Sequence, residues 1–195
     1  MRKLIYISLV VIISAGACSK KNETTVKTPA NTVSIGSVNY NTVVIGTQTW
    51  TATNYNGPGA IGGFYTIAQA TAINLPAGWR LPTQNDFTNL LKSAGATLGN
   101  YYDDANPLEL MSITGWSVVN GTNSLGFNAM PLGFAVSPGP TYINSGTNAV
   151  FWSSSLLVPG EPIVLIINIP SNPGDVYLDK LITSDYASIR FVKDN

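Results

Sequence analysis

The feature that most constrains the fold is the pattern of the C-terminal half, where short β-rich runs alternate with clusters of glycine, proline and asparagine. No long helical period occurs from residue 115 onward, and the β-rich runs cover 126–136, 150–155, 163–169, 176–181 and 188–193. Short runs between turn residues are typical of antiparallel sheet. The run 163–169, IVLIINI, is nearly all apolar, so we expect a central strand covered on both faces.

A local duplication with a ten-residue period occupies residues 31–50, where NTVSIGSVNY is followed by NTVVIGTQTW. Its β-branched residues alternate with polar ones, which predicts two neighbouring antiparallel strands joined by a turn at residues 39–41. The side chains expected in the core are Val33, Ile35, Val43, Ile45 and Trp50.

Two short helices are expected between these β-rich parts. The clearer one begins after Thr83, whose hydroxyl can cap the helix, while Asp86 places a carboxylate in the first turn. It is predicted to end at Gly95. Its buried face is formed by Phe87, Leu90, Leu91 and Ala94. A shorter helix is predicted within residues 65–73. The expected class is therefore α+β, mostly antiparallel sheet with about two short helices and long loops.

The first 31 residues are typical of an export leader and a tether. Arg2 and Lys3 precede an apolar stretch at 4–13, and small residues lead to Cys18. The stretch is shorter than the about 18 residues of a permanent membrane helix. Cys18 after Ala-Gly-Ala resembles the lipobox of bacterial lipoproteins, in which the cysteine is acylated; the alternative is an ordinary signal whose cleavage region contains a cysteine.

These observations predict a signal peptide at 1–17, lipidation of Cys18, a tether at 18–31 and one domain at 32–195. Two or three acyl chains suffice for stable anchoring. The expected location is the cell envelope, at the outer membrane, facing the periplasm or the cell surface.

Composition excludes several classes of function. The chain has no histidine and a single cysteine, which removes histidine metal sites, Ser-His-Asp and Cys-His catalysis, and an intrachain disulfide. Basic and acidic residues number 10 each, and the basic ones are scattered, which disfavours nucleic-acid binding. We expect no cofactor and no metal ion.

The candidate ligand-binding residues lie mainly in two loops, one at 100–107 and one at 137–148. They are Tyr101, Tyr102, Asp103, Asp104, Asn106, Trp116 and Tyr142. Aromatic faces bury the apolar faces of sugars while amides bind hydroxyls. A calcium site needs about six to eight oxygen ligands, and the spacing at 100–107 fits no EF-hand, so the alternative there is a solvated turn.

The remaining tryptophans and two arginines are interpreted as structural. Trp50, Trp79 and Trp152 lie beside apolar residues, although a sugar-stacking platform is the alternative. Arg80 and Arg190 carry guanidinium groups that can tie several loop carbonyls or a carboxylate together.

Five blocks in order resemble the Fibrobacter succinogenes major paralogous domain, a family of secreted and lipid-anchored bacterial proteins. The blocks are VVIGTQTW with Asn54, GWRLPT, GFNAMPLG, FWSSS and SIRFVKD, and the resemblance spans about 33–194. Tyr55, Phe87 and Phe191 depart from the usual Leu, Trp and Cys. The GWRLPT block also resembles the formylglycine-generating enzymes, and this resemblance implies a C-type lectin-like fold. The paired active-site cysteines of those enzymes are missing here, so the resemblance does not imply their oxidase activity.

The expected function is a non-catalytic binding or adhesion module, for glycans or surface proteins, held to a membrane by its N-terminal lipid. Two alternatives stay open. One is a small glycan-processing enzyme, which needs two carboxylates facing one bond, although the sequence pairs none. The other is a structural component of a surface assembly with protein partners.

Overall fold

The computed structural model describes residues 31–96, 102–103, 107–138, 141–169 and 176–195. The strands are β1 (Thr32–Ile35), β2 (Val38–Ile45), β3 (Gln48–Thr51), β4 (Tyr102–Asp103), β5 (Phe134–Val136), β6 (Thr141–Ile143), β7 (Asn148–Val158), β8 (Glu161–Asn168), β9 (Val176–Lys180) and β10 (Val192–Asp194). The helices are α1 (Ile67–Thr71) and α2 (Gln84–Ser93), and a 3-10 turn covers Pro107–Glu109.

The described strands form two four-stranded sheets and a two-stranded ribbon. The first sheet has the order β1-β2-β3-β10, the second β4-β9-β8-β7, and β5 pairs with β6. Every strand pair is antiparallel. The expected α+β class is therefore confirmed. No helix in the described ranges is long and apolar enough to span a bilayer.

The duplication at 31–50 forms two linked hairpins rather than the single hairpin predicted. Ile35 pairs with Val38 and Ile45 with Gln48, so each copy supplies a two-residue turn that starts at glycine. Gly36 and Gly46 have φ values of 59° and 60°, the left-handed conformation that such turns need. The turn predicted at 39–41 is wrong, because β2 runs straight through those asparagines: glycine adopts positive φ at less cost than asparagine does.

The central strand β8 is covered on both faces, as predicted. It lies between β9 and β7, and residues 162–167 are all buried. Leu165 and Ile167 pack in a core cluster with residues of α2. Val164 and Ile166 pack in a second cluster with Ala70 of α1. The second sheet therefore separates two hydrophobic cores.

Helix α2 begins and ends where the sequence predicts. The Thr83 hydroxyl accepts a hydrogen bond from the Asp86 amide, and the Asp86 carboxylate accepts one from the Thr83 amide. Gly95 follows the helix with φ of 82°. The predicted face is buried, and Phe87 stacks on Trp50 at 5.8 Å between ring centroids. The shorter helix α1 is also present, capped by Thr66.

Two predicted β-rich runs are only partly strands. Within 126–136 the strand is limited to Phe134–Val136, and within 188–193 it begins at Val192. The backbone of 188–191 instead bonds several separate segments: Ser188 donates to Val150, while Ile189 and Phe191 accept from Tyr55 and Thr51. The loop predicted at 137–148 contains the short strand β6.

Candidate binding surface

Arg190 is a fully buried polar residue of the described core, with 0% exposure. Its Nε donates to Asn54 Oδ1 at 2.7 Å, and its Nη1 donates to the carbonyls of Thr51 and Phe127, both at 2.7 Å. Its Nη2 donates to the Asn128 carbonyl at 2.9 Å. Arg190 therefore ties together three of the five sequence blocks, which confirms its structural interpretation.

No carboxylate among the described residues forms an ion pair with Arg190. The guanidinium carbon lies 4.7 Å from the Phe127 ring centroid and 5.5 Å from that of Phe151, in reach of cation–π attraction. Burial lowers the pKa of Arg190 to about 9. The side chain is still protonated at neutral pH, and four carbonyl or amide oxygens replace its water.

Arg80 links α2 to the C-terminal strand. Its Nη2 lies 2.7 Å from Asp86 Oδ1 and 2.9 Å from Asp194 Oδ1. Gln48 Nε2 donates to the same two oxygens, at 2.5 Å and 3.0 Å. The network fastens the helix start to β3 and β10, so Arg80 is also structural, as predicted.

Asp86 and Asp194 thus share hydrogen-bond donors, and the pKa values of their carboxyl groups decide whether they could act as a catalytic pair. Burial raises the pKa of Asp86, but hydrogen bonds from Thr83, Arg80 and Gln48 outweigh it, so the net shift is downward. The hydrogen bond from Arg80 and that from Gln48 lower the pKa of Asp194. A carboxylate pair in a glycosidase needs one member that stays protonated near the working pH. This pair suits an ion-pair anchor instead.

The serines of FWSSS clamp the chain that leads into α2. Ser153 Oγ donates to the Pro82 carbonyl at 3.0 Å, and the Ser154 amide donates to the same carbonyl at 2.7 Å. Ser155 Oγ accepts from the Gln84 amide at 3.0 Å, in the first turn of α2. The blocks GWRLPT and FWSSS therefore form one structural unit, and sequence analysis missed this role of the serines.

Most residues predicted to bind ligand at 100–107 fall outside the described parts of the chain. Tyr101, Asp104 and Asn106 lie outside them, as does Cys18. Tyr102 and Asp103 form β4, where they pair with Tyr177 and Val176. The backbone of this segment therefore extends the second sheet, and its binding role stays a prediction.

Trp116 is not the open aromatic surface that was expected. Its side chain is 6% exposed and lies in the core cluster that also contains Leu110 and Met111. Its indole nitrogen donates to Ser112 Oγ at 3.1 Å. The chain bends at residues 113–115, where Ser112 Oγ also donates to the Thr114 carbonyl at 2.7 Å. Trp50 and Trp152 are fully buried, as their structural interpretation predicts.

Trp79 is half-buried and packs against the second core cluster. The Lys193 ammonium lies 5.7 Å from its ring centroid. Its surroundings agree with the structural interpretation.

Among the predicted binding residues whose side chains the structure describes, Tyr142 is accessible, with 50% exposure. Its ring centroid lies 5.8 Å from that of the buried Phe64. A Cβ atom on Gly62 would lie 2.4 Å from the Tyr142 hydroxyl oxygen, so the hydroxyl end of the ring rests on a glycine. We call Tyr142, Phe64 and Gly62 the Tyr142 shelf.

The ribbon that carries the shelf is held firmly to the domain. Tyr142 pairs with Ala135 across the ribbon. Ala135 exchanges two backbone hydrogen bonds with Tyr186, at 2.9 Å and 2.8 Å, and Gly133 donates to the Asn148 carbonyl at 2.7 Å. The ring is therefore positioned before any ligand arrives.

A second exposed surface, which sequence analysis missed, lies at the end of the β7–β8 hairpin. Its exposed side chains are Leu156 at 55%, Leu157 at 48%, Val158 at 50% and Ile182 at 63%. Beside them a depression of about 400 Å³ is lined by Gly160, Glu161, Lys180, Leu181, Ile182 and Thr183. The sequence LLVPGE signals a hairpin, because an apolar run meets Pro-Gly, but it does not reveal that these side chains face solvent. We call Leu156, Leu157, Val158 and Ile182 the hairpin-end surface.

Comparisons with known proteins place these features in one family. The family model described as the Fibrobacter succinogenes major domain matches residues 55–193. No curated protein and no solved structure gives a significant match. Strands β1 to β3 precede the matched range, yet β3 pairs with β10, whose first two residues lie inside that range. With most of its folded part matched, the chain belongs to the Fibrobacter succinogenes major domain family.

Proposed function

We propose that this protein is a non-catalytic binding module of the bacterial cell envelope that recognises a neutral saccharide through the Tyr142 shelf. The observation that carries the proposal is the half-exposed Tyr142 ring, held in place by Phe64 and by the absence of a side chain on Gly62. Aromatic faces pack on the apolar faces of sugar rings. A ring that is already positioned loses little conformational entropy on binding.

The neighbours of Tyr142 support a neutral ligand. Asn144 and Ser145, which follow β6, are exposed and offer amide and hydroxyl groups that suit sugar hydroxyls. Asn144 has φ of 57°, which places it at the bend that follows β6. The surface thus combines an apolar face with uncharged hydrogen-bonding groups.

The absence of catalysis is proposed from the roles of the polar residues in the sequence blocks. Arg190, Arg80 and the serines of FWSSS spend their hydrogen bonds on backbone groups and side chains of the domain itself. The paired carboxylates Asp86 and Asp194 both have lowered pKa values, which disfavours an acid and base pair. Many binding modules carry their recognition residues on exposed loops of a rigid scaffold.

The saccharide proposal is tested by screening the purified full chain on an array of neutral glycans, followed by calorimetric titration with the best ligand. Tyr142→Ala removes a contact worth about 0.5–1.5 kcal/mol, so we expect affinity to fall by up to about tenfold. Tyr142→Phe keeps the ring and is expected to bind nearly as the wild type does. Val44→Ala changes an exposed side chain on β2 and serves as the control.

The saccharide proposal fails if no neutral glycan binds, or if Tyr142→Ala binds as tightly as the wild type. A protein partner at the hairpin-end surface is the second candidate, favoured by its exposed aliphatic side chains, because exposed apolar patches mark protein contacts.

The envelope location and the C-type lectin-like fold belong to the same proposal. Location is inferred from the leader and from Cys18, and the fold is inferred from the resemblance of the GWRLPT block. Mass spectrometry of protein purified from bacterial membranes tests the anchor: we expect a chain that begins at an acylated Cys18. A chain that begins elsewhere and carries no lipid would contradict it, and Cys18→Ser is the matched variant that should stay unprocessed.

A further inference from the structure

The ribbon of β5 and β6 has a third extended segment beside it, at residue 186. Ala135 pairs with Tyr142 on one side and with Tyr186 on the other, and both pairings are antiparallel. Directly opposed residues of neighbouring strands carry their side chains on the same face. Tyr142, Ala135 and Tyr186 therefore form one row, with the small alanine between two tyrosines.

The backbone hydrogen bonds set the width of this row. Ala135 and Tyr186 exchange two of them, at 2.9 Å and 2.8 Å, which is the wider kind of antiparallel pair, whereas Ala135 and Tyr142 form the narrower kind. Together the two spacings place the Cα atoms of Tyr142 and Tyr186 about 10 Å apart. A single sugar ring is smaller than this distance, so it can cover one tyrosine but not both.

The row faces away from the hydrophobic cores. Phe134 and Ala187, which adjoin it along the chain, pack in the second core cluster, and successive residues of a strand point to opposite faces. Phe64 and Ala135 are 2% and 0% exposed, yet neither core cluster of the described residues contains them. They are buried beneath the outer face instead, where the Tyr142 ring contacts Phe64. The outer face thus has an apolar floor between its tyrosines.

The Tyr186 end of the row also carries uncharged polar groups. Tyr186 itself is half-buried. Tyr65 pairs with Ala187, so Thr66, the next residue, lies beside Tyr186. Thr66 is partly exposed, and Gln69, which completes its capping box, is exposed. This end therefore offers hydroxyl and amide groups beside an aromatic ring, as the other end does.

We propose that the saccharide site is built for a neutral oligosaccharide, with one sugar of the chain on Tyr142 and a later one on Tyr186. This inference rests on the proposed function, to which it adds Tyr186 as a second contact residue and chain length as the basis of selection. Two contacts on one rigid ribbon act on the same ligand, so the second contact forms at a high effective concentration. Affinity should therefore rise with chain length until both tyrosines are covered.

The experiment is NMR titration of the purified full chain with linear oligomers of glucose, mannose, xylose and N-acetylglucosamine, each as monomer and as hexamer. We expect a bound hexamer to have at least about tenfold higher affinity than its monomer. Tyr186→Ala should weaken hexamer binding by about three- to tenfold and leave monomer binding within about twofold, whereas Tyr142→Ala should weaken both. Tyr186→Phe keeps the ring and should bind the hexamer as the wild type does.

A second measurement needs no variant and therefore does not depend on whether Tyr186→Ala folds. The ring signals of Tyr186 in carbon–proton spectra of the wild type should shift on addition of the hexamer and not on addition of the monomer, because only the longer chain reaches that ring. Equal affinities of monomer and hexamer, or Tyr186 signals that the hexamer leaves unchanged, overturn this inference and leave the Tyr142 shelf as a site for one sugar. Absence of binding by every oligomer overturns the proposed function as well.

Discussion

Replacement of Arg190 by methionine is expected to destabilise the domain strongly, because it removes every hydrogen bond that the guanidinium makes while keeping an unbranched side chain that reaches to the position of Nε. Four acceptors lose their donor: Asn54 Oδ1 and the carbonyls of Thr51, Phe127 and Asn128. Water reaches two of them poorly, because Thr51 is 1% and Phe127 is 0% exposed.

The magnitude follows from these two buried carbonyls. A buried acceptor left without a donor costs about 1–3 kcal/mol, which gives about 2–6 kcal/mol for the pair. Loss of the cation–π contact with Phe127 adds about 0.5–2 kcal/mol. Removal of a buried charge that pairs with no carboxylate among the described residues returns part of its desolvation cost. We expect a net loss of about 3 kcal/mol, a large share of the about 5–15 kcal/mol that holds an average domain together.

The assay is urea denaturation followed by tryptophan fluorescence and circular dichroism, with the free energy of unfolding taken from the midpoint and slope. Lys92→Met changes an exposed basic residue of α2 and is expected to stay within about 0.5 kcal/mol of the wild type. If Arg190→Met lowers the free energy of unfolding by less than about 1 kcal/mol, with an unchanged slope, then the hydrogen bonds of Arg190 between the sequence blocks do not stabilise the domain as argued.

Three further outcomes are expected. Asp86→Asn should lower the free energy of unfolding by about 1–2 kcal/mol at neutral pH. Because the pKa of Asp86 is lowered in the folded protein, its contribution to stability is present above the unfolded pKa of about 3.9 and is lost as the pH falls through the folded value. The urea midpoints of the two proteins should therefore converge on acidification, and a constant gap would contradict this. Ser153→Ala should cost about 1 kcal/mol in thermal unfolding, since the buried hydroxyl bonds Pro82, whereas exposed Ser145→Ala should cost almost nothing; equal costs would argue against the clamp. Gly62→Ala should weaken saccharide binding in titration as much as loss of the Tyr142 ring does, because the added Cβ atom would displace the Tyr142 hydroxyl. Residue 63 also has positive φ, but no atom lies near the Cβ position there, so Gly63→Ala should leave binding unchanged. An equal effect of both substitutions would point to backbone strain alone.

Features that depend on a few neighbouring residues were predictable. The start of α2 follows from Thr83 and Asp86, whose reciprocal hydrogen bonds join residues three positions apart. The buried strand β8 follows from a run of apolar residues that cannot face water on either side. The two hairpin turns were in principle visible as well, since Gly36 and Gly46 recur at the same place in the duplication, but asparagines elsewhere in the repeat offered a competing turn.

The candidate site was predictable only in part. Tyr142 was identified from its loop, and its exposure agrees with that choice. Trp116 was identified as a tryptophan that follows a glycine, yet a hydrogen bond to Ser112 and its contacts in the core hold it inside. An aromatic residue beside a glycine can face either way, because burial depends on segments that are distant in sequence.

The sequence by itself determined the secondary-structure class, the helix caps, the buried strand and the exclusion of histidine-dependent chemistry and of an intrachain disulfide, because each depends on residue types or on short-range spacing. Tertiary structure alone decided which acceptors surround Arg190, since they lie 62 to 139 residues away along the chain. It also decided that Leu156, Leu157 and Val158 remain about half exposed. Hydrophobicity favours burial wherever the chain can supply a partner, and only the folded arrangement shows that the described chain covers the end of this hairpin in part.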